Sequence, residues 1–140
     1  MKRLPIYLLL CLIFGCTSSK NGKSTAHLLD GTWVPMQQEM GGQQLPASVY
    51  ATQTLLMAGN NYTLTAESVD KGEVTYDDGK MDIFGKEGVN AGKHYMAIYK
   101  LENEQLTICY NLKCDGYPSA FSTDNAPLLF LSVFKKSVQR

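Results

Sequence analysis

Short runs of alternating apolar and polar residues, from about residue 28 to residue 136, constrain the fold of this chain more than any other feature. Gly, Asn and Asp separate these runs, and almost no helical period lasts for more than two turns. Alternation with a period of two is typical of strands with one buried face, so the pattern predicts an all-β chain. The candidate strands are residues 32–40, 54–58, 62–67, 72–76, 81–84, 95–101, 105–111 and 128–135, with a further short one around 120–122.

The residues between these runs predict antiparallel hairpins. Residues 59–61 (Gly-Asn-Asn) and 77–79 (Asp-Asp-Gly) tolerate the left-handed backbone that two-residue turns require. A single helical turn is predicted at residues 46–50, where Pro46 occupies a first helical position. Eight or nine strands connected in this way form either a sandwich or a closed up-and-down barrel, and alternation alone does not choose between them.

The first sixteen residues have the layout of an export signal. Lys2 and Arg3 precede an apolar run over residues 4–14, which is too short to span a bilayer permanently. The end of this run, residues 13–16 (Ile-Phe-Gly-Cys), resembles the lipobox of bacterial lipoproteins. The resemblance implies cleavage after residue 15 and attachment of diacylglycerol and a further acyl chain, such as palmitate, to Cys16 as a membrane anchor. The alternative is a plain signal peptide that is cleaved elsewhere.

The predicted domain boundaries follow from this signal. Residues 1–15 form the signal peptide, residues 16–27 form a lipidated cysteine and flexible tether, and residues 28–140 form one folded domain. No acidic run resembling a surface-export tag follows Cys16, so we expect the periplasmic face of the outer membrane. Because 13 basic side chains balance 13 acidic ones, the chain has no basic footprint for nucleic acid.

Two cysteines remain in the predicted domain, Cys109 and Cys114. An oxidising periplasm permits a disulfide between them, although the small loop that it closes would constrain the unfolded chain little. The alternative is a buried Cys109 that packs as a small hydrophobe, with Cys114 free in a turn. The sequence leaves both alternatives open.

No arrangement of residues typical of catalysis or metal binding stands out. His27 and His94 have no His or Cys at zinc-ligand spacing, and both are predicted to face solvent. Acidic residues are dense between positions 70 and 82, but their spacing fits no EF-hand loop and favours solvated turns, with Asp82 partly buried. We therefore expect no enzymatic activity, no cofactor and no metal site.

The opening of the first strand carries a family resemblance. Gly31 and Trp33 resemble the Gly-x-Trp start of lipocalins, whose tryptophan plugs the closed end of an eight-stranded barrel. Over nearly all of residues 28–136 the chain is similar to a small lipocalin-like domain abundant in Planctomycetes. This wider similarity is carried by Leu29, Gly31, Thr32, Trp33, Glu39, Gly42, Leu45, Pro46, Met81, Asp82, Ile83, Glu87, Gly88, Gly92, Lys93, Ala97, Ile98, Tyr99, Leu106, Ile108, Cys109, Tyr110, Pro118 and Phe121.

The resemblance implies a fold but no particular activity. It favours a single antiparallel lipocalin-like β-barrel of about eight strands, closed by Gly31 and Trp33. It also implies that a basic residue near the end of the chain, among Lys135, Lys136 and Arg140, packs over the tryptophan ring.

A barrel of this size has room for packed side chains or for one small ligand. Tyrosines on the predicted strands are the candidates for lining such a cavity, and they are Tyr62, Tyr76, Tyr99 and Tyr110. The first functional expectation is thus a non-enzymatic binding module for a small apolar or amphipathic ligand. The alternative is an inhibitor or immunity-type lipoprotein that binds an envelope enzyme through loops 41–42 and 87–93.

Overall fold

The structure, a computed structural model, describes residues 25–138, so the predicted signal peptide and Cys16 lie outside the described residues. This part of the chain contains a one-turn helix α1 (Thr25–Leu28), a 3-10 helix (Ala47–Val49) and nine strands. The strands are β1 (Gly31–Met40), β2 (Gln43–Gln44), β3 (Thr54–Ala58), β4 (Asn61–Thr65), β5 (Val69–Asp77), β6 (Lys80–Glu87), β7 (His94–Glu102), β8 (Gln105–Asn111) and β9 (Leu129–Lys136). Within residues 25–138, no helix is long and apolar enough to cross a bilayer.

Eight of these strands close into an antiparallel barrel. The strand order is β1-β3-β4-β5-β6-β7-β8-β9, and β9 pairs with β1 to complete the circle. The closing pair runs from Trp33 opposite Lys136 to Met40 opposite Phe130, with a bulge between Pro35 and Gln37. Closure leaves no long strand edge unpaired. The structure confirms the predicted all-β chain and shows that it is an up-and-down barrel rather than a sandwich.

Several local predictions can be compared with the strands and turns. The β5–β6 hairpin turns at Asp78 and Gly79, whose φ angles of 44° and 77° are the left-handed values that the sequence predicted there. The 3-10 helix confirms the predicted helical turn, with Pro46 at the position before its first residue. Residues 120–122 are not a strand, so that prediction was wrong. Helix α1 covers the last three residues of the predicted tether, 25–27, and the first residue of the predicted domain.

The core lies inside the barrel, because alternate residues on each strand point inward. Leu106 and Ile108 on β8, for example, are almost fully buried, and Phe134 on β9 packs beside them. The buried cluster comprises Leu29, Trp33, Leu55, Met57, Tyr62, Val74, Met81, Ile83, Ala97, Leu106, Ile108 and Phe134.

One end of the barrel is closed by α1 and the start of β1. Helix α1 immediately precedes β1 in the chain and also contacts β5, so it lies across this end of the barrel. Trp33 is 2% exposed, and its indole Nε1 donates a hydrogen bond to the carbonyl oxygen of Leu29 at 2.8 Å. The ammonium of Lys136 lies 5.4 Å from the centre of the indole ring. This contact confirms the expected basic residue over the tryptophan and identifies it as Lys136.

Residues 112–128 form an irregular segment that covers part of the outside of the barrel. Thr123 in this segment is fully buried; its hydroxyl donates to the carboxylate of Glu39 on β1 and accepts the backbone N–H of Gly42 at 2.9 Å. Cys109 and Leu131 are buried although they lie on the outer faces of β8 and β9. The segment therefore explains why β9 is apolar on both faces.

Candidate ligand cavity

The barrel contains an apolar cavity of about 410 Å³ that extends from its middle to the end opposite α1. Small-molecule sites in proteins usually measure about 300–1,000 Å³. The cavity is lined by Gln38, Met40, Gln53, Leu55, Met57, Tyr62, Leu64, Val74, Met81, Ile83, Asn90, Tyr95, Ile108, Tyr110, Leu112, Phe130 and Phe134. Gln53, Asn90 and Leu112 are partly exposed, so the cavity reaches the surface at this end.

The walls of the cavity come from the inward faces of all eight barrel strands. Pairing fixes which side chains meet: Ile83 on β6 is opposite Tyr95 on β7, and Tyr110 on β8 is opposite Phe130 on β9. The rings of Tyr110 and Phe130 lie 5.7 Å apart, within the usual range for aromatic pairs. The result is a wall of aliphatic and aromatic side chains that suits an apolar molecule.

Two hydrogen-bonded pairs supply the polar groups of the cavity. On one side, Gln38 Nε2 donates to Gln53 Oε1 at 2.8 Å and lies 3.4 Å from the hydroxyl of Ser132. On the other side, the Tyr95 hydroxyl donates to Asn90 Oδ1 at 3.0 Å. Among the described residues that line the cavity, none carries a charge at neutral pH.

Two of the four tyrosines predicted to line a cavity do so, namely Tyr62 and Tyr110. Desolvation by burial raises the pKa of both phenols above the ordinary value, and the charge of Asp70 raises the pKa of Tyr62 further. Both hydroxyls are therefore protonated at neutral pH and available as neutral hydrogen-bond groups.

The other two tyrosines were predicted wrongly, because Tyr76 and Tyr99 lie beyond the cavity, towards the closed end of the barrel. Tyr76 is next to the β5–β6 turn, and the backbone N–H of Tyr99 bonds to the carbonyl of Gly79 in that turn at 2.9 Å. Their rings pack edge to face, 5.6 Å apart and at 75°. The alternation of residues predicted correctly that both rings face inward, but it carries no information on depth along the barrel axis.

The polar residues of the cavity were not predicted. Tyr95 alternates with Ala97 and Tyr99, so the pattern did contain a signal that it shares their inward face. Gln38 carried no such signal, because the bulge near Pro35 reverses the alternation that starts at Trp33. Gln53 and Asn90 lie in loops, where a period-two pattern says nothing about orientation.

The loop over residues 88–93 forms part of the rim and places Asn90. The backbone N–H of Asn90 donates to Asp70 Oδ1 at 3.1 Å, and Asp70 is only 5% exposed. Gly85 and Gly88 permit this close approach: a Cβ at Gly85 would lie 1.9 Å from the Asn90 carbonyl oxygen, and one at Gly88 would lie 2.4 Å from Asp70 Oδ1. The loop is thus packed tightly against the ends of β5 and β6.

A second polar cluster lies on the outside of the barrel. Asp82 contacts His94 Nε2 at 2.6 Å through one carboxylate oxygen and accepts the Tyr117 hydroxyl at 2.6 Å with the other. His94 also stacks on Phe84, with 4.4 Å between ring centres, and its side chain is 39% exposed, so it faces solvent in part, as predicted. The hydrogen bond from Tyr117 to Asp82 raises the pKa of that phenol. The cluster ties segment 112–128 to β6, and it contains no nucleophile.

The remaining candidates contribute no chemistry to the cavity. Asp82 is partly buried, as predicted, while His27 is exposed and contacts Asp30 at 3.1 Å. Asp70 points into the barrel and Asp82 points out, so the acidic residues between positions 70 and 82 do not converge. Among residues 25–138, no group of three or more His, Cys, Asp and Glu side chains is arranged to hold a metal ion.

Cys109 and Cys114 are both free thiols, so the disulfide alternative was wrong and the second alternative describes the structure. Cys109 is buried beneath segment 112–128, where desolvation raises the pKa of its thiol. Cys114 is exposed in a turn with φ of 62°. The two side chains lie in different environments, one under the segment and one on its surface.

Comparisons with known proteins found no match for the chain among protein-family models, curated proteins or solved structures. The likeness to the lipocalin-like domain of Planctomycetes therefore stays a prediction, as does lipidation of Cys16. The closed barrel and its cavity rest on the structure alone.

Proposed function

We propose that this protein is a lipid-anchored protein of the bacterial cell envelope that binds a small apolar or amphipathic ligand inside its barrel, without enzymatic activity. The observation that carries the proposal is the apolar cavity of about 410 Å³ with two polar pairs near its rim. Apolar walls with a few placed hydrogen-bond groups are the usual composition of a small-molecule site.

The size of the cavity supports binding over simple packing. Native interiors are close-packed, and few of their voids exceed the size of a water molecule. Apolar wall area that stays in contact with solvent forgoes about 25 cal/mol for each Å² that a filled core would bury. A chain that retains such a space forgoes stability, and a binding function accounts for that loss.

The predicted anchor gives the binding site a suitable location. Two or three acyl chains on Cys16 would hold the protein stably at a membrane, where apolar and amphipathic molecules accumulate. Residues between Cys16 and helix α1 would then set the distance between the barrel and the bilayer.

A fluorescence titration tests the proposal. A soluble fragment of residues 20–140 retains every strand and core contact of the described barrel. We expect the neutral probe N-phenyl-1-naphthylamine to become fluorescent on binding to this fragment. Leu64→Trp, which fills the cavity from β4, should weaken probe binding at least about tenfold, the equivalent of about 1.4 kcal/mol.

The matched control is Leu56→Trp, since Leu56 lies on the outer face of β3 and is 43% exposed. It adds the same side chain outside the barrel and should leave probe binding unchanged. Circular dichroism confirms that both variants are folded, and Met40→Trp provides a second blocked cavity from β1. Probe binding that is absent from the wild type, or equal in all four proteins, would refute a ligand site inside the barrel.

A further inference from the structure

The distribution of charge around the cavity restricts which ligand can enter it. No lysine among the described residues lines the cavity, and no histidine or arginine does so either. Four lysines lie near the open end, and all are exposed: Lys71, Lys86, Lys93 and Lys113. Lys113 contacts Asp115 at 3.3 Å, and Lys86 approaches Glu73 at 3.9 Å. The interior therefore offers no cation to pair with an anionic head group.

The nearest interior charge is negative. Asp70 points inward from β5 near the rim, and its carboxylate is almost fully buried. Asp70 is paired across the sheet with Leu64 of the cavity wall, and its charge contributes to the raised pKa of Tyr62. The electrostatic field near the rim of the cavity thus opposes a second negative charge.

The polar groups that do line the cavity are neutral. Gln38 is only 3% exposed and is fixed by Gln53 and Ser132, while Gln53 is partly exposed at the rim. Amide and phenol groups donate and accept hydrogen bonds without carrying a charge. This pair is suited to a hydroxyl or amide at the end of an apolar chain, with the chain lying against the walls below.

We infer that the cavity selects uncharged amphiphiles, namely an apolar chain ending in a hydroxyl or amide, and discriminates against fatty-acid carboxylates. This inference rests on the proposed function, which requires only that some apolar ligand binds. An ionised carboxylate buried without a cationic partner loses its hydration and gains no compensating interaction. A hydroxyl of the same chain length loses far less and finds the Gln38–Gln53 pair.

The test is a competition experiment with two ligands of equal chain length. Dodecanol and dodecanoate displace N-phenyl-1-naphthylamine from the fragment of residues 20–140 at about pH 8, where a carboxyl group is ionised. We expect the inhibition constant of dodecanoate to be at least about tenfold higher than that of dodecanol. Equal affinities, or tighter binding of dodecanoate, would overturn the inference while leaving the proposed function intact. Failure of the probe to bind at all would refute both.

A charge-insertion variant makes the test independent of differences in solubility between the two ligands. Gln53→Lys places an ammonium at the cavity rim, and we expect it to reduce the preference for dodecanol over dodecanoate at least about fivefold, or about 1 kcal/mol. Gln44→Lys adds the same charge at the exposed end of β2, away from the lining, and should leave the preference unchanged. An equal effect of both variants would show that bulk charge, rather than the cavity interior, sets the selectivity.

Discussion

Gly72 on β5 is the position at which a single methyl group should disturb both the barrel and its cavity. Its φ is not positive, so alanine fits the local backbone, and any effect comes from contacts. A Cβ there would lie 2.1 Å from the carbonyl oxygen of Phe84 on β6 and 2.7 Å from Cε1 of Tyr62 on β4. The Phe84 oxygen belongs to the backbone of a paired strand and cannot rotate away, so β5 and β6 must separate locally.

Overpacking of this kind costs about 1–3 kcal/mol, and the backbone contact places Gly72→Ala at the upper end, near 3 kcal/mol. With a urea m-value of about 1–3 kcal/mol/M, the unfolding midpoint should fall by about 1–3 M. Trp33 is the single tryptophan of the chain, so its fluorescence reports unfolding without a label. Displacement of Tyr62 from the cavity wall should also weaken binding of N-phenyl-1-naphthylamine.

Gly59→Ala is the control for this prediction. Gly59 has a φ of 58° and no atom within 4 Å of the position of an added Cβ, so alanine there should cost only the left-handed strain of about 1 kcal/mol. A Gly72→Ala protein that unfolds at the same or a higher urea concentration than Gly59→Ala would refute the contact argument.

Three further predictions concern the closed end and the cysteines. Tyr76→Phe removes a buried hydroxyl that has no hydrogen-bond partner among residues 25–138. The free energy of unfolding should therefore stay the same or rise by about 1 kcal/mol, which a thermal melt would show as an unchanged or higher melting temperature. A clear fall in melting temperature would contradict this. Lys136→Met removes the charge over the Trp33 ring. A urea titration should show a free energy of unfolding lower by about 0.5–1 kcal/mol. An unchanged free energy of unfolding would show that the contact does not stabilise the fold. Ellman's reagent should react at once with the exposed thiol of Cys114. It should react with Cys109 only after unfolding, because Cys109 is buried and burial raises the pKa of the Cys109 thiol. Two fast-reacting thiols in the native fragment would disprove this prediction.

Local residue chemistry predicted the hairpins and the closed end. Asp78 and Gly79 tolerate positive φ, and the structure turns there. The Gly-x-Trp opening was expected to need a basic partner, and Lys136 stacks on Trp33. Alternation correctly placed Tyr62 and Tyr110 inside the barrel. These features depend on a residue and its immediate neighbours, which is the information that a single sequence contains.

Features that depend on distant residues were not predictable. The choice of a barrel over a sandwich requires β9 to pair with β1, about a hundred residues earlier, and no local pattern encodes that pairing. Residues 120–122 have strand-like composition, but Phe121 lies under Lys100 and Thr123 bonds to Glu39, so this segment covers the wall instead of joining it. The Gln38–Gln53 pair unites a strand beyond a bulge with a loop, and its existence follows only from the assembled barrel.

Native mass spectrometry tests the central claim, a ligand held inside the barrel, most directly. The fragment of residues 20–140 would be secreted to the periplasm and purified without denaturation, beside the Leu64→Trp variant whose cavity is filled. We predict that the wild-type fragment carries one additional small-molecule mass per chain and that Leu64→Trp carries none. Ligand-free masses for both proteins would contradict the proposal that this barrel binds a small molecule.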